Sequence, residues 1–159
     1  MPGTLTKGMS RTASHKMKVD KRTRARQLAI QSLYQLDVQG PELFQRPTDE
    51  FFMDADSDNF VRKLALDWTK GTWEHLPQCD ELIASSTIKW QFSRLSPVDK
   101  SILRLAVYQL KFCPDIPPKV VINEAIELAK MFSTDRSGAF VNGVLDAVLR
   151  RLRAEKQRG

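Results

Sequence analysis

The sequence predicts an all-α protein, a helical bundle of about six or seven helices, on three observations. Apolar residues recur at the three- and four-residue spacing of a single helix face. Strand-like alternation is never sustained along the 159 residues. Pro and Gly fall between the periodic stretches, where helices stop and start. With 42% hydrophobic and 28% charged residues, the chain can bury a core without disulfides or a structural metal. No apolar run of about 18 residues occurs, so no membrane contact is expected.

Residues 1–20 hold Pro2, Gly3, Gly8 and scattered Ser and Thr with few large apolar groups, which predicts a flexible basic N-terminal arm. A transit peptide is the other reading, because no acid precedes Asp20 and Leu5, Met9, Ala13 and Met17 recur every four residues. Few arginines and two glycines speak against it, and no apolar core of a secretory signal is present.

From Lys21 the pattern turns helical. Ala25, Leu28, Ala29, Ser32, Leu33 and Leu36 form one stripe, Gln27, Gln31 and Tyr34 lie opposite, and Gly40-Pro41 ends the helix. Residues 41–56 read as an acidic loop, with a short helix possible around Glu42–Gln45. A second long helix is predicted from near Ser57, with Phe60, Val61, Leu64, Trp68, Gly71 and Thr72 inward and Gly71 allowing close packing. Pro77 starts a third, on which Cys79, Leu82, Ile83 and Ser86 make the stripe. Trp90, Phe92 and Leu95 are expected to cross a connection.

Ser96-Pro97-Val98-Asp99 is a helix start: Ser96 caps, Pro97 suits the first position, and Asp99 reaches back to the cap amide. The helix that follows is apolar nearly all round (Ile102, Leu103, Leu105, Ala106, Val107, Leu110), which marks it as central. After the Asp115–Pro118 link comes a helix from Val120 to Phe132. Ser133 to Gly138 is expected to turn, and Phe140, Val144, Leu145, Val148 and Leu152 carry the last helix into a basic tail over 153–159.

The formal charge is +6, but its distribution says more. Residues 1–26 carry a net +7, residues 150–159 a net +4 and the body a net −5. Cationic ends on an acidic body point to a polyanion, since each Lys or Arg facing a phosphate releases a counterion; the blander reading is solubility.

Catalysis has little support, and no enzyme activity is expected. The glycines never fall as G-x-G, and neither H-E-x-x-H nor G-x-S-x-G occurs. Cys79 and Cys113 stand far apart, and with His15 and His75 alone no metal centre is expected; a cofactor is not implied either. A reduced, cytoplasmic setting follows from the cysteine usage. Glu124 and Glu127 read as a solvated face, and His75 as a contact with a helix dipole.

Nucleic-acid binding fares better. Arg22 and Arg26 are neighbours on the first predicted helix, and Lys21 and Arg24 widen the patch. Four cations at a helix N-terminus oppose the macrodipole, which favours a ligand reason. Tyr34, on the exposed side of the same helix, suits base stacking in single-stranded RNA; otherwise it is a rim residue packed on another helix.

Two stretches carry a family resemblance. One is Arg24-Ala25-Arg26-Gln27-Leu28-Ala29-Ile30-Gln31-Ser32-Leu33-Tyr34. The other runs from Asp99 to Leu110, through Ile116-Pro117-Pro118-Lys119-Val120 to Lys130, to Phe140-Val141-Asn142-Gly143-Val144-Leu145-Asp146. Together they resemble the NusB family of transcription antitermination factors, over about residues 21–152, most strongly in the last third. The resemblance implies two packed helical subdomains forming an RNA-binding domain. It also implies binding of boxA-type elements in ribosomal RNA leader transcripts as a heterodimer with NusE, a small-subunit ribosomal protein, in an antitermination complex with RNA polymerase. The RNA-facing set it implies is Lys21, Arg22, Arg24, Arg26 and Tyr34, joined by Arg136, Ser137 and Phe140, with Asp99 binding the partner.

Arg136 stands where some relatives have an acid, which is expected to raise affinity rather than specificity. Asn142 and Gly143 are expected to serve structure, Gly143 by letting two helices approach. Two other readings compete: a self-associating helical module or homodimer that hides its RNA face, and a NusB-like domain of a ribosomal-RNA cytosine methyltransferase, for which the chain is too short.

Overall fold

Helix boundaries fall where capping chemistry places them. The computed structural model describes residues 19–42, 55–87 and 89–158. Among them are seven helices: α1 (Lys21–Gln39), α2 (Asn59–Glu74), α3 (Leu76–Ser85), α4 (Lys89–Arg94), α5 (Pro97–Phe112), α6 (Pro118–Phe132) and α7 (Asp135–Arg158). The N-terminal arm up to residue 18 and most of the 41–56 segment, including the helix considered there, lie outside the described residues.

Asp20 caps α1 by accepting the Arg22 amide at 2.8 Å, and Gly40 ends it at φ 94°, a backbone conformation open to glycine. Asp58 caps α2 through the Phe60 and Val61 amides. Ser96 Oγ accepts the Asp99 amide at 3.1 Å, with Pro97 opening α5 as its sequence predicts.

Helix α5 is the centre: it packs on α1, α2, α3, α6 and α7. Its buried residues run without a break from Ser101 to Val107, so no face is left for water. On one side α1 and α2 pair closely, on the other α6 and α7, and the apolar side chains of all of them form one continuous core. Hydroxyls on buried faces close on their own helix: Ser32 Oγ donates to Leu28 O at 2.8 Å, Thr69 Oγ1 to Ala65 O and Thr72 Oγ1 to Trp68 O, both at 2.7 Å. His75, where α2 gives way to α3, sets Nδ1 2.9 Å from Gly71 O and its ring 4.1 Å from that of Phe112. Among the described residues no helix is long and apolar enough to cross a membrane.

Five expectations need correction. Trp90, Phe92 and Leu95 do not span a plain connection, because residues 89–94 form α4; six residues are too few to show a helical period. The segment from Ser133 to Gly138 is not all turn: Arg136, Ser137 and Gly138 sit in the first turns of α7, with the Thr134 hydroxyl accepting the Ser137 amide at 3.1 Å. At the other end α7 continues through Arg158, so residues 153–158 are helical rather than a tail. Phe60 is not inward but 45% exposed. The close helix approach is made not by Gly143, around which a Cβ would meet nothing within 4 Å, but by Gly71 and Gly138.

A Cβ at Gly71 would lie 2.1 Å from Tyr108 Oη. Gly71→Ala should therefore lower stability by about 1–3 kcal/mol through overpacking. Gly143→Ala, on an exposed helix surface, should raise it by up to about 1 kcal/mol. Urea unfolding of the two variants checks both; shifts of one sign contradict this packing.

Candidate nucleic-acid interface

The cationic end of α1 is not a bare positive patch. Lys21 Nζ meets Asp58 Oδ2 at 2.9 Å. The Arg24 guanidinium grips the Asp56 carboxylate through Nε and Nη2 at 2.8 to 3.1 Å. Arg26 is 4% exposed, lies 5.1 Å from the centre of the Trp68 ring and reaches Glu124 Oε1 at 3.4 Å. Burial pushes the Arg26 pKa down despite Glu124, and its Nε has no partner. Arg22 alone of the four lacks an acid partner among the described residues, resting 5.6 Å from the Phe60 ring centre.

These contacts correct the sequence-based picture. Acids at 56, 58 and 124, distant in sequence, already offset the cations that were expected to await a ligand. Arg26 is a core residue holding α1 against α2 and α6. Glu124 is no solvated bystander, since it also accepts from Thr23 Oγ1 at 2.9 Å. The signal for part of this was present: two Asp residues just before a helix are capping candidates. Their reach back to α1 has no sequence signature.

Tyr34 is 39% exposed, on the solvent side of α1 as its period requires. It borders a shallow depression with Ile30, Gln31, Gln35, Val98 and Phe132. Val98 opens α5 and Phe132 closes α6, so Tyr34 lies where three helices meet.

Beside it is a second cleft, lined by Arg94, Leu95, Ser96, Asp99, Arg136, Ser137 and Phe140. Arg136 is exposed and, among the described residues, has no acid partner. Phe140 is half-buried, and Ser137 is 9% exposed. Asp99 does not return to the cap amide: its Oδ2 accepts from Ser137 Oγ at 3.2 Å, and its Oδ1 is buried with no partner. Burial raises the Asp99 pKa, with the Ser137 and Ser96 hydrogen bonds pulling the other way.

The two depressions share no lining residue, but both draw on the start of α5, through Val98 and Asp99, and on the α6–α7 junction, through Phe132 and Arg136. Asp99, Arg136, Ser137 and Phe140 are thus brought to one cleft, with Tyr34 in the other depression. Lys21, Arg22, Arg24 and Arg26 are not; Arg22 and Arg26 line a separate groove with Phe60, Ile116 and Val120, and Arg22 is about 18 Å along α1 from Tyr34. The two regions follow one another along α1, Arg26 of the groove standing one turn before Ile30 of the Tyr34 depression.

The NusB family model matches residues 23–150. The chain belongs to the NusB family. A relative from Syntrophus aciditrophicus (strain SB), named transcription antitermination protein NusB, is 42% identical over 142 residues, covering 88% of this chain and 87% of its own. T. maritima NusB superposes with a TM-score of 0.70 at 36% identity, over 84% of this chain and 93% of that one. A chain from the crystal structure of antitermination factors NusB and NusE in complex with dsRNA gives 0.71 at 28% identity, over 82% and 97%. The NusB fold therefore frames both regions described above, and the differences between them lie in which of this chain's cations are already paired.

Arg26→Ala should destabilise by about 1–3 kcal/mol through lost packing on Trp68, and Arg26→Met by less. Arg136→Ala should stay within about 0.5 kcal/mol of the parent. Chemical denaturation of the three variants checks this; equal losses at 26 and 136 contradict the burial. Asp99 gives a pH test. A carboxyl raised in the folded state holds its proton more tightly there, so stability falls as pH rises from the ordinary carboxylate value of about 4 through the raised value. Asp99→Asn should thus raise the melting temperature at neutral pH, and the gain should shrink in acid.

Proposed function

We propose that this chain is an RNA-binding transcription antitermination factor that acts on boxA-type elements of ribosomal RNA leader transcripts as a heterodimer with NusE. The observation that carries the reading is the cleft of Asp99, Arg136, Ser137 and Phe140, with the exposed Tyr34 ring at a depression on the same α5 start, in a chain of the NusB family. An unstacked base lies on the Tyr34 ring, and a second aromatic, Phe140, stands across the α5 start. Arg136 meets the phosphate between them, its charge unspent on any acid among the described residues. Asp99, lining the same cleft, is the contact for the partner protein. Lys21, Arg22 and Arg24 serve at the far end of α1, where a phosphate has to displace a carboxylate from two of the three. Such a complex works beside RNA polymerase in the cytoplasm.

Self-association is the second reading, and one observation favours it. Val38 is 57% and Met131 54% exposed, the first one turn beyond Tyr34 on α1 and the second beside Phe132 on α6. A homodimer through them would hide the RNA surface, so gel filtration should show RNA and dimer as mutually exclusive if that reading is right.

Titrating a boxA-type single strand against a scrambled one, with and without NusE, tests the main proposal. Preference for the boxA-type strand, sharpened by NusE, is expected; equal affinities overturn it. Tyr34→Ala should cost about 1–3 kcal/mol of binding, while Tyr34→Phe keeps most of it. Annealing the strand to its complement should weaken binding, because paired bases are closed to stacking.

A further inference from the structure

Solvent-exposed, unpaired positive charge is most concentrated at the end of α7. Arg150, Arg151, Arg153, Lys156 and Arg158 are all exposed, and none has an acid partner among the described residues, whereas Lys21, Arg24 and Arg26 on α1 each do. Lys156 and Arg158 occupy the last turn, where the helix dipole favours cations. That effect fades within one turn, so it does not account for Arg150, Arg151 and Arg153. Arg150 and Arg153, and Arg153 and Lys156, are like charges three apart on one helix, a spacing that disfavours the helix. Asp146, four before Arg150, and Glu155, four after Arg151, offset part of this repulsion, and five cations against these two acids leave a net positive end suited to an external polyanion.

Position along α7 ties this end to the cleft. Arg136, Gly143, Arg150 and Gln157 follow at seven-residue steps and so share one side of the helix. All four are exposed, and the space above Gly143 is open. Arg150 is about 21 Å from Arg136 along the axis. Asp146 is the acid on this path, also exposed.

We propose that the end of α7 is a second RNA contact, holding phosphates of the strand as it leaves the Arg136 cleft without reading its sequence. This rests on the RNA-binding reading above and extends it beyond the boxA-type element. Each phosphate neutralised on a single strand releases counterions, so the site shows in the salt dependence of binding.

The test compares two RNAs, one limited to the boxA-type element and one with an added single-stranded flank, against wild type and the triple variant Arg150→Gln, Arg151→Gln, Arg153→Gln. For the flanked RNA, the slope of log K against log salt should fall by about 2, at about 0.7 per lost phosphate contact. The short RNA and the preference over a scrambled core should be unchanged. The triple Lys variant should keep the wild-type slope, because charge and not the guanidinium fork is needed, and circular dichroism melts confirm that all variants fold. An unaltered slope for the flanked RNA overturns the inference alone, as does an equal loss for the short RNA. If wild type binds neither RNA, the inference and the reading beneath it fall together.

Discussion

A helix covered on every side leaves its polar groups no partner but other helices, and Arg104 is where α5 meets that constraint. Its side chain is 7% exposed. Nε and Nη2 hold both oxygens of Asp80 on α3 at 2.8 and 2.9 Å, and Nη1 holds Asp37 on α1 at 3.1 Å. Burial works against the charge, yet the two carboxylates outweigh it and raise the Arg104 pKa. A buried ion pair adds little net stability over a well-packed apolar one, but losing one partner strands the others. The clamp therefore fixes how α1 and α3 sit on α5 more than it strengthens the whole.

That fixed seating is what composes the candidate interface. Once α1 and α5 are locked, Tyr34 necessarily faces Val98, and the Ser96 cap sets the direction of the first turn of α5. Asp99 then points across to α7 rather than back to its own cap, and the Ser133–Ser137 contact at 2.9 Å braces the α6–α7 junction from the other side. Helices rather than loops hold Tyr34, Asp99, Ser137 and Phe140, so their positions are set before any ligand arrives.

Much of this was legible in the sequence. The period of α1 placed Tyr34 outward and Leu33 inward, and Ser96-Pro97 located the start of α5 to the residue. The unbroken apolar run after Asp99 identified the central helix. What stayed hidden depends on contacts between distant residues. Nothing local tells that Asp56 closes on Arg24 or that Arg26 lies under Trp68, because charge patterning reports a residue's type and not its partner. The glycines show the same limit: helical spacing made Gly143 look like Gly71, and only the neighbouring helix distinguishes an open flank from a tight crossing. Arg136 was located by resemblance alone, since one arginine near a turn has no pattern.

The paired cations of α1 change what binding there would mean. A ligand arriving at Arg24 does not fill a vacancy; it competes with Asp56, which is tethered and so present at high local concentration. Sparse or mobile anions lose that contest, while a strand already anchored elsewhere on the protein brings its own phosphates to comparable proximity. The carboxylates would thus set a threshold for binding there, passed only by a ligand already committed at another point.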